Sequence, residues 1–185
     1  MNKKYWQQFY KKEHIKEPTD FAVFCQKYIF KKDNGYIVDL GCGNGRDSYY
    51  FAEKGHEVLA VDYALNLIEK KHINFIQMEL NEFFNVPKAI KPDVIYSRFL
   101  LHAITEKTLE NLLNWSGGLF CAEFRADTDK PKVYKDHKRN LINGEKLLKM
   151  LVEKKYKIWY YKRGKGMAKY KNEDPEVIRV IAQKI

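Results

Sequence analysis

The sequence predicts an α/β sandwich, a seven-stranded and mostly parallel sheet with helices on both faces. Three observations carry that expectation. Short β-branched and aromatic runs alternate with stretches of helical periodicity through most of the chain, the order that builds a parallel sheet. The first strong run, Tyr36-Ile37-Val38-Asp39-Leu40, passes straight into a glycine turn and then a helix. Two strand-like runs, Tyr156 to Tyr161 and Val177 to Ile185, follow the last helix with only a loop between them.

In chain order, residues 1 to 12 read as a short helix with Trp6, Phe9 and Tyr10 on one side and lysines around them. Pro18-Thr19 breaks the chain, and Asp20 to Lys31 supplies a second helix with Phe21, Phe24, Cys25 and Tyr28 at helical spacing. The turn Asp33-Asn34-Gly35 then leads into the first strand. Gly41, Gly43 and Gly45 alternate through the next turn, where missing side chains let backbone N–H groups approach a ligand. Arg46 to Lys54 is helical, with Tyr49, Tyr50 and Ala52 to pack and Gly55 as its stop. Glu57 to Val61 is a strand, and Asp62 stands at its end. A carboxylate there, some twenty residues after the glycine turn, is placed to bind the two hydroxyls of a ribose.

That arrangement implies a nucleoside-containing cofactor. It differs from a dinucleotide fingerprint, in which G-x-G-x-x-G seats a pyrophosphate on a helix N-terminus. Here the spacing is D-x-G-x-G-x-G, and the acid Asp39 beside the turn would repel a pyrophosphate while suiting ammonium and sulfonium groups. No G-K-[ST] follows, which excludes a phosphate loop. With the run VDLGCGNG and an acid ending the next strand, the chain resembles the class I S-adenosylmethionine-dependent methyltransferases. The resemblance implies a Rossmann-like fold completed by a C-terminal antiparallel hairpin, S-adenosyl-L-methionine as cofactor and S-adenosyl-L-homocysteine as product. It implies an opening helix that folds over the cofactor mouth, and cofactor contacts from Asp39, Gly41, Cys42, Gly43, Asp62 and Tyr63. An acid near the end of the third strand, here Glu79 with Glu82 as second candidate, would meet the adenine amino group, with Leu80 beside it.

Beyond Asp62, Ala64 to Lys71 reads as a helix, Ile73 to Gln77 as a strand and Pro92 to Ser97 as the fourth strand. Ligands sit at the carboxyl ends of parallel strands, so Ser97 is assigned to the cofactor, and Arg98 and His102 are placed for chemistry. Thr105 caps a helix to Trp115 whose Leu109, Leu112 and Leu113 face inwards. In the fifth strand, Leu119 to Arg125, alternation puts Phe120, Ala122 and Phe124 on one face and Glu123 and Arg125 on the other. Ala126 to Lys138 is a polar loop suited to an acceptor lid, Asn143 caps a helix to Glu153, and Gly164 to Tyr170 is a basic loop.

The 185 residues are 45% hydrophobic and 31% charged, which suits one ordinary globular domain. Within it, residues 1–35 form a helical cap, 36–97 a cofactor-binding half and 98–185 an acceptor-binding half. No stretch approaches the roughly 18 apolar residues of a membrane span, and the opening residues lack the apolar core of a secretory signal. Cys25, Cys42 and Cys121 are three cysteines without paired spacing, which implies reduced thiols, no metal site and a cytoplasmic setting. Of the net charge of +10, residues 1–95 carry 14 Lys/Arg against 13 Asp/Glu, and residues 96–185 carry 20 against 11. A basic later half would attract an anionic acceptor, or present a solvated lysine-rich face.

The functional expectation is therefore O-methylation of a small anionic acceptor, such as a phosphorylated or nucleotide-linked sugar precursor. Tyr5, Arg98, Arg125, Arg139 and Lys169 are the candidate acceptor contacts, with Lys165 beside them. His102 and His137 are the candidate bases for an un-ionised acceptor, or packed and solvated histidines. The opening YWQQFY, the SRFLLHAI run and the late YKNEDPEVIRVIA also resemble small bacterial methyltransferases of surface-polysaccharide clusters. RNA as acceptor stays open, although neither N-P-P-[YF/W] nor a paired catalytic cysteine motif is present. So do a thiol or metalloid acceptor, and a non-catalytic cofactor-binding partner subunit; the protein is expected to act as a monomer or dimer with no membrane partner.

Overall fold

The computed structural model describes residues 3–12, 17–30, 35–64, 71–85, 91–115, 117–128, 140–170 and 172–185. Seven strands form one sheet: β1 (Tyr36–Leu40), β2 (Glu57–Asp62), β3 (Ile73–Gln77), β4 (Val94–Arg98), β5 (Leu119–Arg125), β6 (Tyr156–Gly164) and β7 (Val177–Lys184). Their order is β3-β2-β1-β4-β5-β7-β6. The first five are parallel, while β7 runs antiparallel to both β5 and β6. This is the expected sandwich with its closing hairpin.

Helices cover both faces, so the central strands are buried on both sides and read as near-continuous apolar runs. Against one face lie α2 (Asp20–Tyr28) and α3 (Arg46–Glu53), packing Phe21, Cys25 and Phe51 on Ile37, Tyr96 and Cys121. Against the other lie α4 (Leu80–Asn85), α5 (Glu106–Trp115) and α6 (Gly144–Glu153), packing Phe83, Leu112 and Leu151 on Val38, Ile95 and Phe120. The helix α1 (Lys3–Lys12) precedes them. Among the described residues, no helix is long and apolar enough to cross a membrane.

The caps follow the residue chemistry. Thr19 Oγ1 accepts from Ala22 N at 3.1 Å to open α2, and Asn143 Oδ1 accepts from Glu145 N at 2.9 Å to open α6. Thr105 Oγ1 does the same for Thr108 N at 3.1 Å. Each satisfies a helix N–H that has no intrahelical partner.

In α3, Tyr49, Tyr50 and Ala52 pack against the core while partly covered, and the fully buried residues are Asp47, Ser48 and Phe51. Its first turn faces the glycine turn and β4, where polar partners await Asp47 and Ser48. The short α4 follows Glu79 without having been expected; the Glu79 carboxylate accepts from Asn81 N at 2.7 Å and so caps its first turn. The expected helix from Ala64 falls mostly on residues 65–70, outside the described ones.

Candidate functional site

A cavity of about 450 Å³ opens at the carboxyl ends of β1, β2 and β4. Its floor is the glycine turn. Gly41 has φ +73°, and a Cβ there would lie 2.9 Å from Leu100 Cδ1; Gly43 has φ +58°, and a Cβ would lie 2.6 Å from the Tyr10 ring. Both positions thus require glycine for conformation and for space. Gly41 N donates to Val61 O at 2.8 Å, which clips the turn to β2 and brings Asp62 beside it.

The two acids flanking this turn are buried without a cationic partner among the described residues. Asp39, 2% exposed, accepts from Ser48 Oγ at 2.6 Å. Burial pushes its carboxyl up to about 8, with the neighbouring Asp47 and Asp62 acting in the same direction and the Ser48 bond against it. Asp62 accepts from Gly43 N at 3.1 Å and Ala64 N at 2.8 Å, yet burial still raises its pKa. Burial also pushes the Cys42 thiol well up and the Tyr63 hydroxyl to about 12. Tyr63, Glu79 and Leu80 line the cavity further along; Glu82 is exposed and does not.

Above the turn, Trp6 and Tyr10 of α1 reach the cavity, their rings 5.8 Å apart and stacked. Tyr5 is on α1, but its side chain lies outside the described ones. Below, Asp47 collects three hydrogen bonds: Thr19 N at 2.8 Å, Thr19 Oγ1 at 2.9 Å and Tyr96 Oη at 2.8 Å. That knot ties the entry to α2 onto α3 and β4.

The other end of the cavity carries Arg98, Phe99, His102, Arg125 and the segment Met167–Tyr170. Phe99 holds φ +55°, an unfavourable conformation for a bulky residue, fixed by its N–H donating to Glu123 O at 2.7 Å. The Arg98 guanidinium sits 4.2 Å from the Phe99 ring centroid and that of Arg125 5.5 Å. Each arginine has a carboxylate: Arg98 Nε donates to Glu123 at 2.9 Å, and Arg125 Nη2 to Glu173 at 2.7 Å. His102 is 3% exposed, its ring tilted edge-on to Phe99 with centroids 5.5 Å apart, and its Nδ1 accepts from Arg125 N at 3.4 Å.

The cavity wall therefore includes twelve of the sixteen expected site residues. Ser97 stands apart: it is fully buried, is not on the cavity wall, and its Oγ finds no partner among the described residues. Its side chain points to the α5 side of β4, opposite Tyr96 and Arg98. Lys169 is on the wall and exposed, Lys165 is not on it, and His137 and Arg139 lie outside the described residues. The wall is also more acidic than the later half as a whole suggests, with Glu17, Asp20, Asp39, Asp47, Asp62, Glu79 and Glu173 facing Arg46, Arg98, Arg125 and Lys169. Sequence reasoning missed Thr19, Asp47, Tyr96 and Phe99. Thr19 and Asp47 carry a signal as cap and first-turn acid; Phe99, an ordinary aromatic after a strand, carries none.

The residues at the turn fit the cofactor that the resemblance implies. A side-chain-free cradle allows close approach to the backbone, and two buried carboxylates lacking cations suit a ligand bearing ammonium, sulfonium and ribose hydroxyl groups.

A family model described as a methyltransferase domain matches residues 9–166. An uncharacterized chloroplastic methyltransferase of Arabidopsis thaliana is 30% identical over 67 residues, 35% of this chain but 19% of that protein. An S-adenosylmethionine-dependent methyltransferase of Anabaena variabilis superimposes with a TM-score of 0.73 at 13% identity, covering 100% of this chain and 96% of that one. The 1,6-didemethyltoxoflavin-N1-methyltransferase of Burkholderia thailandensis, with 1,6-didemethyltoxoflavin and S-adenosylhomocysteine bound, gives a TM-score of 0.65 at 17% identity over 89% and 76% of the two chains. At such identities the likeness is one of fold.

Proposed function

The chain belongs to the methyltransferase-domain family, and from that premise we propose that it transfers a methyl group from S-adenosylmethionine to an oxygen of a small anionic acceptor. A phosphorylated or nucleotide-linked sugar precursor is the class that suits it. The observation that carries this reading is the continuity of one cavity from the Asp39–Gly43–Asp62 cradle to the Arg98–Phe99–Arg125 face.

When bound, S-adenosylmethionine supplies an electrophilic methyl group on a sulfonium. Asp62 would hold the ribose hydroxyls and Asp39 would offset positive charge near the glycine turn. Tyr10 and Trp6 would exclude water from above. Alignment of this kind supplies several kcal/mol of barrier lowering, up to roughly 7–11 in ideal cases.

At the acceptor end, the Arg98 and Arg125 side chains both line the cavity beside the Phe99 ring, and together they could hold one phosphate or carboxylate. An ionised acceptor oxygen needs no base. That fits His102, whose Nδ1 already accepts the Arg125 N–H; in the neutral ring the proton then sits on Nε2, which makes it a donor. Because the wall carries more carboxylates than cations, a single anionic group suits it better than a polyanion such as RNA. The test is a screen that reads S-adenosylhomocysteine release across phosphorylated sugars, nucleotide sugars, neutral sugars, amines and RNA. Release with phosphorylated or nucleotide-linked sugars is expected. Turnover of neutral or amine acceptors that is indifferent to Arg125→Ala would overturn the anionic reading.

A further inference from the structure

On the α2 face of the sheet, Arg98, Glu123 and Arg179 stand in register on three adjacent strands, β4, β5 and β7. Glu123 is 1% exposed and serves both arginines, accepting from Arg98 Nε at 2.9 Å on Oε1 and from Arg179 Nε at 2.7 Å on Oε2. Arg179 is itself buried under α2, its guanidinium 5.3 Å from the Phe21 ring centroid and 5.8 Å from that of Phe24. Its Nη2 then reaches out of the sheet to donate to the Met167 carbonyl at 2.8 Å.

Met167 belongs to the loop between β6 and β7 that walls the acceptor end of the cavity. A second arginine, Arg125, grips the same loop further on through Glu173. Between the two anchors, Tyr170 and Glu173 exchange backbone hydrogen bonds at 2.9 Å. Guanidinium groups thus fasten the loop to the sheet at Met167, at Glu173 and, at its far end, at Glu176 through Arg163 Nε at 3.2 Å, and the fastening at Met167 passes through Glu123.

We propose that Arg179, oriented by Glu123, is a positioning residue that fixes the Met167–Tyr170 wall against the acceptor, in one unit with Arg98. This depends on the acceptor reading of that compartment given above. Arginine is needed because one planar group must serve a carboxylate through Nε and a carbonyl through Nη2. A lysine keeps the charge beside Glu123 but offers a single ammonium that cannot span both.

The test is Arg179→Lys in the full chain. Three readings are expected together. Trypsin cleavage after Lys165 or Lys169 should accelerate at least fivefold under conditions where the urea midpoint is little changed. S-adenosylmethionine affinity by calorimetry should stay within twofold. With the best acceptor from the screen, acceptor KM should rise at least tenfold while kcat holds within about threefold. If Arg179→Lys does not fold, the double variant Glu123→Gln with Arg179→Met, which also takes the carboxylate from Arg98, is tested by the cleavage and cofactor readings alone. An unchanged cleavage pattern, or a cofactor affinity that falls along with loop protection, would overturn the proposal. Proteolysis needs no acceptor, so it decides the positioning role even if no acceptor in the screen is methylated, a result that would count against the function proposed above alone.

Discussion

The two ends of the cavity treat charge in opposite ways. At the glycine turn, Asp39 and Asp62 are buried with hydroxyl and backbone N–H partners but no cation among the described residues, and burial raises both pKa values. At the opposite end, proposed for the acceptor, Arg98, Arg125 and Arg179 all have carboxylates within 2.9 Å. A buried charge without a counter-ion is costly to keep. The first end avoids that cost by holding protons and would ionise beside a cationic ligand, whereas the second is balanced from within. Binding strength is concentrated where the protein is unsatisfied, and geometric definition where it is satisfied.

The contrast can be broken by mutation, and the largest effect is expected at the balanced end. Glu123→Ala leaves two arginines without their shared partner and should lower unfolding free energy by about 3–5 kcal/mol, read by urea denaturation. A loss under 1 kcal/mol would show that the row is not coupled to folding. At the unsatisfied end the effect falls on binding. Asp62→Ala should weaken S-adenosylmethionine by at least about tenfold, near 1.4 kcal/mol; unchanged affinity by calorimetry would remove the ribose assignment.

Gly43→Ala forces an L side chain into a left-handed backbone at roughly 1–2 kcal/mol and drives its Cβ into Tyr10. Thermal denaturation and cofactor titration should both register it.

The pH response separates the two ends further. The Asp39 pKa, about 8 in the folded chain against 3.8 ordinarily, means that the folded state keeps a proton the unfolded state releases. Stability from this group is full below the unfolded value and is lost as pH rises through about 8. The thermal midpoint of the ligand-free protein should therefore fall between pH 5 and pH 9 more steeply in wild type than in Asp39→Asn. Equal slopes would refute the shift. The smallest effect should come from the exposed pair Lys146–Glu106, 2.6 Å apart with both side chains more than half exposed. Lys146→Ala should change stability by no more than about 1 kcal/mol, the surface counterpart to the buried row.

What could be read from the sequence divides along the same line. The turn was legible because its chemistry is local: Asp39, three glycines and Asp62 lie close along the chain, and strand–turn–helix periodicity fixes their geometry. The strand assignments, the alternation of Phe120, Ala122 and Phe124 against Glu123 and Arg125, and the caps at Thr105 and Asn143 were legible for the same reason. The acceptor wall was not. Arg98 and Arg125 could be singled out by placement, but their partners Glu123 and Glu173 come from cross-strand register and from a loop remote in sequence. The charge count over the later half misled in the same way. It sums exposed lysines on α6 and β6 with the few cations that reach the cavity. The capping role of Glu79 is not legible, because a six-residue helix leaves too little periodicity to announce itself.

The sheet order has a consequence for biosynthesis. Strand β7 is made after β6 yet lies between β5 and β6. The edge of β5 must therefore stay open while α6, β6 and the following loop emerge from the ribosome. Arg179 arrives with β7, so Glu123 spends that interval holding at most one of its two arginines. The cofactor cradle, complete once β4 has docked beside β1, can form well before the opposite wall. A nascent chain stalled short of Val177 should then capture S-adenosylmethionine before it has any defined place for an acceptor.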